Sequence, residues 1–323
     1  MPFIFASPFL QSDPPSILDP RGPAAENIAE LWWIMFALGT AIFLLVTGLM
    51  FFGILGRHSD HVDDQQGQRW IVIGGIVMPS VVLVIVFGFT IRSSLLTANE
   101  ADNTSFAIEV IGRRWWWEVN YPDHGVITAN EIHIPLGVPV ELKLKSGDVI
   151  HSFWVPQLNG KMDLIPGREN TLIIQADETG IYRGECAEFC GLQHARMQFM
   201  MIVQETEDFE QWIADQLQPA TEADGALIQT GQEVFITAGC VYCHTVRGLD
   251  SGDVDRSDVD LGPDLTHLAS RSTIAAGILE NNRGNLGGWI ADPHGIKPGV
   301  LMPATQLSGE DLQALLAYLE TLQ

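Results

Sequence analysis

Cys186-Ala187-Glu188-Phe189-Cys190-Gly191-Leu192-Gln193-His194-Ala195-Arg196-Met197 gathers two thiols, an imidazole and a thioether within 12 residues. Thiolate, imidazole and thioether form a soft donor set of the kind that suits copper. A mononuclear blue-copper site uses one Cys, two His and a weak Met, whereas a second Cys four residues on lets two sulfurs bridge two metals. A further imidazole must come from elsewhere, and His151 in His151-Ser152-Phe153-Trp154-Val155-Pro156 is the candidate, at a strand-to-loop edge. Zinc is the runner-up metal, although zinc sites rarely recruit a thioether and this cluster has no Cys-x-x-Cys knuckle. A Cys186–Cys190 disulfide is the remaining alternative. Met200 and Met201 compete for the thioether role, but spacing from His194 favours Met197.

Around this stretch the texture is β from Ser105 to Glu205. Phe106–Ile111, Glu131–Ile134 and Val140–Leu144 alternate apolar with polar residues, and Thr171–Gln175 and Gln198–Val203 read as further strands. Turns at Pro122, Gly137, Gly147, Gly167 and Gly180 separate them. Short strands so spaced predict a sandwich or barrel of about 100 residues. Thr206–Leu217 then reads as a helix with Phe209, Trp212 and Ile213 on one face, and 218–225 as a polar, Pro-containing linker.

Beyond the linker the pattern is helical, and Cys240-Val241-Tyr242-Cys243-His244 is a c-type haem attachment signature. Two thiols add across the haem vinyls and the adjacent histidine reaches the iron. Met302 is the only methionine after residue 201 and so the expected sixth ligand, with His267 and His294 as alternatives for a bis-His haem. A His/Met pair raises the haem potential, which suits a donor to copper. A redox dithiol is disfavoured because no βαβ pattern surrounds the pair. Ser308-Gly309-Glu310-Asp311 reads as a capping box, followed by Leu312, Leu315, Leu316 and Leu319 at helical spacing. No internal repeat is visible.

Upstream, Leu31–Gly56 and Trp70–Ile91 run for 26 and 22 residues without a charge. Each exceeds the roughly 20 residues that cross a bilayer core of about 30 Å. Trp32, Trp33 and Trp70 sit at the ends, where indole prefers the headgroup boundary. Arg57 and Arg69 flank a loop containing Asp60, Asp63 and Asp64, while the leading segment has Arg21 alone, so basic residues weakly favour the loop inside. The apolar stretch Phe3–Leu10 has no basic region before it and does not read as a signal peptide. A net charge of −23 excludes a nucleic-acid binder and could steer a basic protein partner.

His151 followed by Cys186-x-Glu188-x-Cys190-x-x-x-His194-x-x-Met197 resembles the dinuclear CuA motif of cytochrome c oxidase subunit II. Gly112-Arg113-Arg114-Trp115-Trp116-Trp117, Lys161-Met162-Asp163-Leu164-Ile165-Pro166-Gly167-Arg168 and Leu18-Asp19-Pro20 extend the likeness over about residues 15–210. With the haem signature, the chain resembles subunit II of a caa3-type haem–copper oxidase carrying a fused cytochrome c domain. That resemblance implies an external N-terminal segment (1–28) and a transmembrane helical hairpin (29–94). It then implies an all-β cupredoxin-like CuA sandwich (95–217), the linker (218–225) and an all-α class I cytochrome c domain (226–323). Gly262-Pro263-Asp264-Leu265 resembles the cytochrome loop whose proline backs the proximal histidine.

The resemblance also implies roles. Cys186 and Cys190 would bridge both coppers, His151 and His194 would be terminal ligands, Met197 a weak axial ligand and Glu188 a ligand through its carbonyl. The Glu188 side chain would face a Mg²⁺ site at the subunit I boundary, with Asp163 nearby. Trp115 would be the aromatic at which electrons enter, while Trp116 and Trp117 read as packing. Cys240, Cys243, His244 and Met302 would hold haem c. Electrons from cytochrome c or another redox protein would pass through haem and CuA to subunit I, which reduces O₂ to water, with both redox domains outside a bacterial plasma membrane. One departure stands out: Trp70–Met78 lacks the carboxylate that the family often carries ahead of the second span, leaving a proton-uptake role in question. Nitrous oxide reductase would need a large domain where the spans lie, and a quinol oxidase subunit would lack the copper ligands. A membrane-anchored cytochrome with an empty sandwich is separated by copper content. His58, His61, His124 and His133 have no partner ligands in sequence and read as ordinary polar residues.

Overall fold

The computed structural model describes residues 15–56, 64–98, 104–250 and 262–323. The expected roles of Phe3–Leu10, Arg57, His58, Asp60, His61 and Asp63 fall outside these residues. The first uncharged run lies within helix α1 (Pro23–Leu55), which Pro23 opens with a missing N–H that costs nothing in a first turn. The second runs through α2 (Asp64–Val72), a π-helical turn at Ile73–Val77 and α3 (Met78–Ala98). Both are apolar on all faces and unburied by the rest of the chain, as membrane spans must be when lipid is their solvent. Arg92 and Glu30 approach to 3.7 Å, pairing the C-terminal half of the second span with the start of the first.

Helix α1 begins six residues before the expected hairpin start. Its first turns leave the apolar run to pack on the next domain, burying Ala24, Ala25 and Ala29. Arg21 N donates to Gln157 O at 2.7 Å and Arg21 O accepts from Asp177 N at 2.8 Å, fixing that junction.

The β domain is a sandwich of two five-stranded sheets. One holds β1 (Ala107–Arg113), β2 (Trp116–Tyr121), β3 (Val126–Ala129), β5 (Val140–Ser146) and β8 (Asn170–Ile174) in the order β3-β2-β1-β5-β8. The other holds β4 (Glu131–Pro135), β6 (His151–Trp154), β7 (Met162–Leu164), β9 (Gly180–Cys186) and β10 (Gln198–Gln204) in the order β4-β10-β9-β6-β7. Pairs β1–β5 and β10–β4 are parallel and the others antiparallel. Alternation in β1, β2 and β5 buries every second side chain, so Ile108, Val110, Trp117, Val119, Leu142 and Leu144 fill the space between sheets. Each such side chain contributes about 1.5–3 kcal/mol by leaving water. Helix α4 (Thr206–Gln216) closes one end, with Phe209 stacked on Phe106.

The C-terminal domain packs α5 (Ala226–Thr237) against α8 (Gly309–Leu319) around Phe235, Leu315, Leu316 and Tyr318. Ser308 Oγ accepts from Asp311 N at 3.1 Å and donates to Asp311 Oδ2 at 2.8 Å, so the N-cap half of the expected capping box forms. Helices α6 (Arg283–Ala291) and α7 (Pro293–Ile296) are likewise capped, by Asn282 and Asp292. A two-stranded hairpin, β11 (Thr273–Ile274) with β12 (Leu279–Glu280), interrupts the otherwise helical domain.

Candidate functional site

The soft donors converge at one end of the sandwich. His151 opens β6, Cys186 ends β9, and the loop from Cys190 to Met197 leads into β10. Cys186 Sγ lies 3.7 Å from Cys190 Sγ and 3.9 Å from His151 Nδ1. Cys190 Sγ lies 3.8 Å from both His194 Nδ1 and Met197 Sδ, and the Glu188 carbonyl is 3.2 Å from Cys186 Sγ. All six candidate groups therefore meet. The cysteines are free thiols, which removes the disulfide alternative. Met200 and Met201 are buried on β10, and it is Met197 whose sulfur reaches the cluster.

The two thiols titrate in opposite directions. Hydrogen bonding from Cys190 and from His151 pulls the Cys186 thiol down against its burial, while sharing that bond and burial push Cys190 up. His151 Nε2 donates to Asp148 Oδ1 at 2.8 Å, which leaves Nδ1 as the lone-pair nitrogen facing the sulfurs. Burial lowers the His151 pKa, but Asp148 and Cys186 together outweigh it and raise it. Despite its own burial, Asp148 is held at about 2 by His151 and by the N–H groups of Val149 and Arg114. Gly112 on β1 admits the His151 ring, since a Cβ there would sit 2.8 Å from its Cδ2. Two thiols, two imidazoles and a thioether in a buried pocket fit copper.

The second centre is an apolar cavity in the C-terminal domain, lined by Cys240, Cys243, His244 and Met302 among others. His244 Nδ1 donates to Pro263 O at 2.8 Å, leaving Nε2 as the ligating nitrogen. Gly262 is required beside it, because a Cβ would lie 2.7 Å from His244 Cε1. Arg271 Nε and Thr273 Oγ1 are buried without a protein partner among the described residues, and both residues line the cavity. An apolar cavity with two thiols, an oriented imidazole, a thioether and orphan donors for carboxylates fits a covalent haem. The bis-His alternatives fall away: His267 Nε2 bonds the carbonyls of Gln216 and Gln218 at 3.1 Å, and His294 is exposed outside the cavity. Arg114, Trp115, Trp116 and Asn130 of the β domain complete the wall.

Comparison with known proteins agrees with this geometry. Residues 125–206 match the family cytochrome C oxidase subunit II, periplasmic domain, and residues 228–323 match cytochrome c. Cytochrome c oxidase subunit 2 of Alkalihalophilus pseudofirmus is 35% identical over 319 residues, covering 95% of this chain and 90% of that protein. The chain belongs to the cytochrome c oxidase subunit II family. The Bacillus subtilis protein of the same name is 29% identical over 334 residues, covering 95% of this chain and 92% of its own. The solved periplasmic domain of subunit II from Bradyrhizobium japonicum is 29% identical, with a TM-score of 0.34 over 35% of this chain and 94% of that one.

In this subunit II, Trp115 is buried between the two centres and Trp117 is wholly buried, as packing requires. Trp116 is half-buried, with the Arg113 guanidinium 6.0 Å over its ring. Glu188 Oε1 accepts from Phe189 N at 3.1 Å, while Asp163 sits on β7 opposite Ser152 of β6. The reading of His133 as an ordinary polar residue is corrected: its ring is buried, stacked 3.9 Å from Trp212 and bonded through Nδ1 to Gln204 Oε1. His124 is half-buried against Phe106 and Tyr121. Sequence reasoning missed Asp148, three residues before His151. A carboxylate at that spacing from a candidate histidine ligand was the available signal.

Proposed function

We propose that this subunit II is a single-electron relay. It takes electrons from cytochrome c or another redox protein into a covalent haem c and passes them through Trp115 to a dinuclear CuA, then to subunit I, where O₂ becomes water. Cys240, Cys243, His244 and Met302 would hold the haem, and Cys186, Cys190, His151, His194, Met197 and the Glu188 carbonyl the coppers. When bound, the two cofactors supply the one-electron chemistry. The chain's share is ligand choice, exclusion of water and rigid placement on a β scaffold.

One observation carries the reading: Trp115 lines the cavity of Cys240 and His244 while its Nε1 donates at 3.0 Å to the carbonyl of Cys190. Trp115 thus adjoins both sites. The start of α1 packs on the sandwich, and Arg92 late in the second span pairs with Glu30 early in the first, which supports both redox domains lying on one side of the membrane, the outer face of a bacterial plasma membrane. Glu188, at the copper loop, would carry its carboxylate toward a Mg²⁺ at the subunit I boundary, with Asp163 near it.

The test uses the full chain in detergent, loaded with haem c and reconstituted with copper. Two coppers per haem, with one unpaired electron shared over both nuclei, and reduction of that centre after flash reduction of the haem are expected. One copper per haem would mean a mononuclear carrier. A copper-free chain with intact haem would overturn the relay and leave a membrane-anchored cytochrome.

A further inference from the structure

The two redox domains meet along a buried polar seam with Lys297 at its centre. Its side chain is 1% exposed, although lysine is almost never fully buried without a partner. Among the described residues no carboxylate pairs with it. Instead Nζ donates to Trp115 O at 3.1 Å and to Ala275 O at 3.0 Å, one carbonyl from each domain.

Both neighbours of Lys297 are gripped by the copper loop. Gln193 Nε2 donates to Pro298 O at 2.8 Å, and the Arg196 guanidinium donates to Ile296 O. These donors flank His194 between Cys190 and Met197, so the segment 296–298 sits directly on the loop that carries the copper donors. Val300, partly buried, packs against the apolar core of the sandwich.

The other carbonyl belongs to a strained turn. Ala275, Ala276 and Gly277 have φ of 55°, 58° and 76°, a left-handed run that alanine rarely enters. Such conformations persist where surrounding contacts hold them. Lys297 holds Ala275 O from within the haem domain, and across the seam Gln198 N of β10 donates to Ala276 O at 3.1 Å. Both alanines also line the haem cavity. Beyond them Ser272 N donates to the buried Glu131 of β4 at 2.7 Å, anchoring the far end.

We propose that Lys297 is a positioning residue for transfer between the two centres: its buried Nζ clamps the haem domain onto the backbone of Trp115, keeping the indole seated between the haem cavity and Cys190. A residue serving the stability of the haem domain alone would be better apolar here, because a buried amino group costs solvation that an apolar side chain does not. The inference rests on the relay reading above, and its test separates the two.

The experiment compares the haem- and copper-loaded full chain with Lys297→Met, which keeps most of the aliphatic stem. Two quantities are followed: the haem-to-copper rate after flash reduction, and hydrogen–deuterium exchange of 271–277 and 296–300. In Lys297→Met the rate should fall at least about tenfold, as misplacement of reacting partners by about an ångström does elsewhere. Exchange should rise in both segments, while reduction of the haem by an external donor, the haem spectrum and the copper EPR stay as in the parent. Parent-like rate and exchange overturn the clamp, as does a slowed rate accompanied by an altered copper EPR, which would place the effect at the ligands. If the parent itself transfers nothing, the relay reading fails, and unchanged exchange in Lys297→Met still overturns the clamp. Should Lys297→Met lose its haem, Lys297→Gln replaces it. The shorter amide cannot span both carbonyls, so parent-like exchange and rate there overturn the proposal equally.

Discussion

The indole N–H of Trp115 is bonded to the main-chain carbonyl of Cys190 at 3.0 Å, across 75 residues of sequence. Removing that donor while keeping an aromatic isolates its contribution. In Trp115→Phe the Cys190 carbonyl loses its partner in a buried place, which costs about 1–3 kcal/mol. Haem-to-copper transfer, measured by flash reduction, should slow by about tenfold or more. Copper content should stay at the parent value, because Trp115 supplies no ligand atom.

Asp148 orients His151 through a 2.8 Å hydrogen bond. Asp148→Ala leaves His151 Nε2–H without its acceptor and frees the ring to rotate away from Cys186. Copper affinity, read by competition with a chelator, should fall about 10–100-fold. Haem loading of the same variant should be normal.

His133 makes stability depend on pH. Burial lowers its pKa from 6.5 to about 4, opposed in part by the Gln204 hydrogen bond. The folded state therefore keeps the ring neutral while the unfolded chain takes up a proton below 6.5. Stability present above pH 6.5 should fall by up to about 3 kcal/mol as pH drops to 4. Glu131 Oε2 lies 4.0 Å from the ring, and its pKa is raised by burial, which acts in the opposite sense. Comparing urea midpoints of the parent and His133→Phe at pH 7.5 and 4.5 isolates the histidine: the gap between the two pH values should shrink in the variant.

Gly262→Ala tests the seat of His244. The new Cβ would lie 2.7 Å from His244 Cε1 and 2.9 Å from Nδ1, so the ring must shift off Pro263 O. Overpacking of this kind costs about 1–3 kcal/mol. Part of the haem should become high-spin in the optical spectrum, and the melting temperature of the haem domain should drop.

The cluster of soft donors was legible because five of its six groups fall between Cys186 and Met197, where spacing alone brings them near one another. Cys240, Cys243 and His244 stood out for the same reason, and Met302, singled out by composition, lies with them in one cavity wall. Lys297 was not, since its meaning comes from Trp115, 182 residues away, and from a seam between domains. His133 was misread for a related reason. Alternation in Glu131-Ile132-His133-Ile134 puts Glu131 and His133 on the face opposite the sandwich core, which ordinarily meets water. Here Trp212 of α4 covers His133 and Ser272 covers Glu131, so all of β4 is buried. The early start of α1 was hidden because Pro23–Ile28 is too polar to join the apolar run, and is ordered by contact with the sandwich.

The wall that Arg114, Trp115, Trp116 and Asn130 lend to the haem cavity has a consequence for biogenesis. Those residues are translated more than 100 positions before Cys240, and domains fold as units from the N-terminus during synthesis. The sandwich can therefore stand as a finished template when the haem-attachment segment emerges. A lesion that delays its folding would leave the attachment cysteines in a half-open cradle, so a mutation in the copper domain would surface first as a failure to mature haem.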